Sequence, residues 1–69
     1  MDKMVKQINK EVKGSLRLNY FRKFYEPDTI YEVHEGSDFT EITCRRFGDI
    51  QTYRVRGPIN GNFTVTERQ

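Results

Sequence analysis

From Asp28 onward, apolar and polar residues alternate with a period of two, and Gly36, Gly48 and Gly61 punctuate the alternation. A period of two sends successive side chains to opposite faces of a strand, so this stretch is committed to a sheet with one buried and one solvated face. Turn chemistry then bears on register. Phe47-Gly48-Asp49-Ile50 suits a two-residue loop at Gly48-Asp49, with glycine at the first central position of a type II′ turn. That loop predicts Cys44 opposite Tyr53 and Ile42 opposite Val55 on the inner face. On the outer face it pairs Arg45 with Thr52, Thr43 with Arg54, and Glu41 with Arg56. A slip of one residue would turn every apolar side chain outward.

At the next turn, a two-residue Asn60-Gly61 loop would set Val65 against Arg56 and mix the faces. A three-residue loop, Ile59-Asn60-Gly61, keeps them apart, with Gly61 in the left-handed position of a bulge. Val55 then faces Val65, Arg56 faces Thr64, Arg54 faces Thr66, and the Phe63 ring covers Gly57. Strands near 29–35, 39–47, 50–57 and 62–68 form a meander. Its expected inner face is Tyr31, Val33, Ile42, Cys44, Tyr53, Val55, Phe63 and Val65.

Ahead of the sheet, Met4, Val5, Ile8 and Val12 fall on one side of a helix over about 2–13, with Lys3, Lys6, Lys10 and Lys13 opposite. Gly14-Ser15 reads as its end. In residues 15–25, Leu16, Tyr20 and Phe24 align equally well as strand or helix. Aromatic richness and the Pro27-Asp28 turn favour a strand. The expected fold is therefore α+β: one domain over residues 1–69, with an N-terminal amphipathic helix on a curled antiparallel meander of four or five strands. A small SH3-like or OB-like barrel is the alternative architecture.

A chain of 69 residues has room for one small domain, too little to enclose a large active-site pocket. Its aromatic content of 13% argues that it folds. The single Cys excludes an internal disulfide, and no run approaches the roughly 20 apolar residues of a membrane span. A cytoplasmic protein with no membrane partner is expected. His34 is the only histidine, so a histidine-based metal site has no second ligand. Cys44 alternates inward and reads as a buried apolar residue, although Arg45 and Arg46 flank it. The five glycines stand singly and build no phosphate-cradling loop. A non-enzyme without cofactor or metal is the expectation.

Surface chemistry remains. Residues 1–25 hold seven Lys/Arg against two acids, residues 26–41 hold six acids and no Lys or Arg, and residues 42–69 hold five Arg against two acids. An acidic strand between basic neighbours gains cross-strand attraction. The outer face gathers Arg45, Arg54, Arg56, Arg68, Thr43 and Thr52, joined by Thr64 and Thr66, as a candidate nucleic-acid face. No helix-turn-helix, GXXG or RNP-like motif accompanies it. The stretch Phe63, Thr64, Val65 and Thr66 is an uncharged candidate protein-contact edge. A binding or accessory module that acts through a protein partner or self-association is the leading expectation, with nucleic-acid binding as the alternative. Compactness and the opening Met1 fit an accessory protein of a bacterium or its virus.

Overall fold

A computed structural model describes residues 2–68, with side chains from Gly14 to Arg68. Helix α1 (Asp2–Tyr25) precedes strands β1 (Thr29–Glu35), β2 (Phe39–Arg46), β3 (Asp49–Ile59) and β4 (Asn62–Arg68). The strands form one antiparallel sheet in the order β1-β2-β3-β4. The α+β meander expected from the sequence is present with four strands, and β1 and β4 remain as edges instead of closing a barrel. The early apolar stripe (Met4, Val5, Ile8, Val12) and Lys3, Lys6, Lys10 and Lys13 lie outside the residues whose side chains are described.

Residues 15–25, expected as a strand, are helical, and Gly14-Ser15 does not end the helix. Leu16, Tyr20 and Phe24 could not decide the matter, because a spacing of four is even and is also about one helical turn. Arg17 and Phe21, likewise four apart, are 1% and 0% exposed and turn the same helical side toward the sheet. Gly14, three residues before Arg17, is buried on that side, and a Cβ there would run into the Glu35 carboxylate. Its role is close approach, not termination. The helix stops where Glu26 takes a left-handed conformation (φ 47°) and its N–H donates to the Arg22 carbonyl at 3.2 Å. Pro27 then blocks continuation, and Arg22 and Lys23 place positive charge by the last carbonyls.

The β2–β3 loop is Phe47-Gly48, not Gly48-Asp49. Both loop residues have positive φ (51° and 83°), a type I′ turn, and Arg46 faces Asp49 across it. The ladder thus sits two residues from the expected register: Ile42 faces Tyr53, Thr40 faces Val55, Cys44 faces Gln51 and Glu41 faces Arg54. A slip of two preserves the faces, so Ile42, Cys44, Tyr53 and Val55 are buried as the alternation requires. Positive φ at a residue with a Cβ costs about 1–2 kcal/mol. Packing outweighs it: this register brings Tyr53 within ring contact of Phe21 (5.2 Å) and Tyr25 (5.9 Å).

The β3–β4 connection reconciles two signals that conflict in the sequence. Asn60-Gly61 is a two-residue loop with both φ positive (52° and 78°), closed by Ile59 opposite Asn62, so the three-residue loop is not formed. Yet Val55 faces Val65, Arg56 faces Thr64 and Arg54 faces Thr66 as expected. The extra residue is absorbed by a bulge at Gly57-Pro58, between Arg56 and Ile59. Pro58 has no N–H to give the ladder, and Gly57 tolerates φ 113°. A second bulge, between Ile30 and Glu32, corrects the inner face of β1. Ile30 packs on the core, whereas Tyr31 turns outward and is 50% exposed; Val33 stays opposite Ile42, on the inner face as expected, but is 37% exposed.

Phe21, Ile42, Cys44, Tyr53 and Val55 make the core. Two arginines fasten the helix to it. Buried Arg17 donates from Nε to the Gly57 carbonyl (2.6 Å), from Nη1 to Thr40 Oγ1 (3.2 Å) and from Nη2 to the Ser37 carbonyl (3.4 Å). Arg46 donates from Nε to the Tyr25 carbonyl (2.8 Å) and from Nη1 to Tyr53 Oη (3.2 Å), capping the helix C-terminus.

Candidate functional site

The sheet has one face under α1 and one open face, and strand alternation sends Glu41, Thr43 and Arg45 of β2, Thr52, Arg54 and Arg56 of β3, and Thr64, Thr66 and Arg68 of β4 to the open side. The candidate nucleic-acid residues are therefore brought together. Their charge, however, is largely internal to the face. Glu41, only 13% exposed at its side chain, accepts two hydrogen bonds from Arg54 (Nη2 2.7 Å, Nε 3.1 Å) and one from Arg68 Nη1 (3.3 Å). The Arg54 hydrogen bond holds the Glu41 carboxyl below the usual carboxylate range, against the opposing pull of desolvation. Arg56 lies 3.6 Å from Asp38 instead of pairing with Glu41. Thr43 and Thr52 bond to each other through their hydroxyls at 2.9 Å. Arg45 makes no ion pair among the described residues, and its guanidinium lies 6.0 Å from the Tyr31 ring.

The candidate protein-contact residues form a different surface. Phe63, Thr64, Val65 and Thr66 lie in β4, which is the last strand of the sheet, so its outer backbone groups have no strand neighbour. Above this edge, Phe63 stacks on Tyr20 (centroids 4.6 Å apart, 20° between planes), and Tyr20 in turn touches Phe24 (4.7 Å). Leu16 and Phe24, one turn to either side of Tyr20, are 44% and 61% exposed. An apolar shelf of helix side chains thus overhangs an uncharged strand edge. The other edge is guarded: β1 is bulged and carries Glu32, His34 and Glu35 between Asp28 and Asp38.

The remaining reactive groups have quiet surroundings. Cys44 is fully buried, and burial pushes its thiol up despite the nearby Arg46 charge. His34 is exposed beside Glu32 and opposite Glu41. Among the described residues no group of three His, Cys, Asp or Glu side chains is placed to hold a metal ion, and no helix is long and apolar enough to cross a membrane. Sequence reading missed Arg17, the Gly57-Pro58 bulge and the Arg46 cap. Pro58 inside an alternating run was the available signal for the bulge, and the Gly14, Arg17, Phe21 spacing for the helix face. No protein-family model, curated protein or solved structure matches this chain.

Proposed function

We propose that this chain is a non-catalytic binding module that acts through protein–protein contact at the free edge of β4, with a second copy of the chain as the partner that edge fits first. The observation that carries this reading is the pairing of an uncharged edge strand, Asn62–Thr66, with the exposed Leu16–Tyr20–Phe24 shelf above it. A strand added to β4 gains main-chain hydrogen bonds and slides its inward side chains under the shelf. Two copies related by a twofold axis meet in antiparallel fashion. Centred on Val65, that contact sets Thr64 against Thr66, Phe63 against Glu67 and Asn62 against Arg68, with no like charges opposed. A core this small also gains from burial between subunits.

Native mass measurements on the purified chain from about 1 to 100 µM, a range bracketing modest dimer affinities, test the reading. A concentration-dependent dimer is expected. The double change Thr64→Lys, Thr66→Lys should raise its dissociation constant at least about tenfold, since edge lysines block strand addition. The matched change Thr52→Lys, away from the edge, should not. A monomer throughout that range would refute self-association at β4. The nucleic-acid alternative draws on Arg45, the one outer-face arginine without a carboxylate partner among the described residues. Oligonucleotide binding whose log K falls by about 0.7–0.9 per phosphate neutralised as log salt rises would favour it instead.

A further inference from the structure

Arg17 presents a problem that fastening a helix does not by itself solve. It is 1% exposed, yet all three of its polar contacts are neutral acceptors: the carbonyls of Gly57 and Ser37 and the Thr40 hydroxyl. No carboxylate lies within 4.0 Å of it among the described residues. Each guanidinium nitrogen has one partner, but the group carries five N–H bonds and cannot shed its proton, so two N–H bonds and the charge itself are unmatched by these contacts. Burial of an unpaired charge is expensive, and a Met or Leu would fill the same space without that penalty.

A cleft of about 260 Å³ lies beside this buried arginine where α1, the β1–β2 turn and the β3 bulge meet. Its walls include Arg17, Arg56, Ser37, Asp38 and Gly57. The volume lies just under the roughly 300–1,000 Å³ of ordinary ligand pockets, which suits a headgroup-sized ligand. Two arginines line it, and forked N–H donors match planar or tetrahedral oxyanions. Asp38, the only acid in the lining, is engaged with Arg56 at 3.6 Å, and its side chain is 72% exposed. It stands at the rim rather than on Arg17. The bulge is part of the construction: it turns the Gly57 carbonyl onto Arg17 Nε.

We infer that this cleft is a binding site for a small oxyanion, a phosphate or carboxylate group, whose negative charge completes the partnership of buried Arg17 with Arg56 as the second clamp. The site is independent of the β4 edge. Asp38 acts as a resident competitor that occupies Arg56 until the ligand displaces it.

Titration with sodium phosphate, and separately with sodium acetate, tests the site, with sodium chloride at matched ionic strength as control. The readouts are the Arg17 Nε–Hε resonance and the Ser37 and Gly57 amides. Saturable shifts confined to these signals are expected with phosphate, with acetate or with both, and the stronger ligand identifies the chemistry. Asp38→Asn should tighten binding about three- to tenfold, because it removes one like charge from the rim. Arg56→Gln should weaken it about tenfold or more, the range of a hydrogen-bonded charge at a partly exposed site. Both residues are exposed, so both variants should keep the fold; circular dichroism checks that, and Arg17→Lys adds a variant that keeps the charge but loses the fork. Absence of saturable shifts with either anion, equal shifts with chloride, or an Asp38→Asn variant that binds no tighter would each overturn the assignment.

Discussion

Gly57 and Gly61 offer a paired perturbation in which the same added methyl meets two different surroundings. Both residues have positive φ, 113° and 78°. At Gly61 a Cβ would meet nothing within 4 Å, so Gly61→Ala bears only the conformational penalty, about 1 kcal/mol. At Gly57 the Cβ would stand 2.5 Å from the Asn62 carbonyl oxygen and 3.3 Å from both Ile59 N and Phe63 Cα. Those atoms are backbone, on both sides of the bulge, and cannot rotate aside. Strain of about 1–3 kcal/mol for the backbone conformation then adds to about 1–3 kcal/mol for forcing the two strands apart, so Gly57→Ala should lose about 2–6 kcal/mol. Thermal unfolding by circular dichroism separates the two cases: a domain of this size shifts about 4–8 °C per kcal/mol. Gly61→Ala should fall by about that amount, and Gly57→Ala by at least about 10 °C. Equal losses, or a milder effect at Gly57, would refute the bulge and restore a longer loop at residues 59–61.

Two further outcomes follow from the packing and the charges. Phe21→Ala, which removes a fully buried ring stacked on Tyr25 (4.9 Å), should destabilise by about 3–5 kcal/mol in urea, whereas Phe24→Ala, at 61% exposure, should change stability far less. Comparable losses at the two positions would mean that the helix presents a different side to the sheet. The Glu41 carboxyl is held down in the folded protein, so its stabilising contribution is complete above the unfolded value of about 4.3 and is lost as pH falls through the folded one. Glu41→Gln should flatten the acid limb of stability below about pH 4 and leave that limb's neutral end as flat as before; an unchanged acid limb would show that the Arg54 pair does not form.

Alternation made the sheet readable because a period of two is insensitive to where each turn falls by an even number of residues. Ile42, Cys44, Tyr53 and Val55 are buried in either register of the β2–β3 hairpin. The helix was harder to read. The amphipathic pattern expected in the sequence ends at residue 13, and beyond it the sheet-facing positions are Gly14, Arg17 and Phe21, only one of which is apolar. Hydrophobic periodicity cannot mark a face built from a glycine chosen for closeness and an arginine chosen for its hydrogen bonds. The bulges were hidden for a related reason. Each trades a ladder position for a tertiary contact, Ile30 to the core and the Gly57 carbonyl to Arg17, and those partners lie about 40 residues away or on another element.

The same two-residue slip that left the fold intact rewrote the chemistry of the open face. Side-chain direction repeats every two residues, but ion pairing depends on which residue stands directly opposite, and that changes with every step. In the expected register Glu41 would neutralise Arg56 and leave Arg54 facing Thr43, free for a ligand. In the observed one Glu41 takes Arg54 and Arg68 together, and Arg56 is turned over to Asp38 at the mouth of the Arg17 cleft. The balance between the two surfaces shifts with it. A strip of arginines available to phosphates becomes a face whose charges are mostly spent on each other, and the one arginine delivered to a cleft stands beside a buried guanidinium with no carboxylate within 4.0 Å among the described residues. Burial pattern therefore constrains the fold more tightly than the site. A binding surface is defined by exact opposition, which only the turn geometry and the rings of Phe21, Tyr25 and Tyr53 settle.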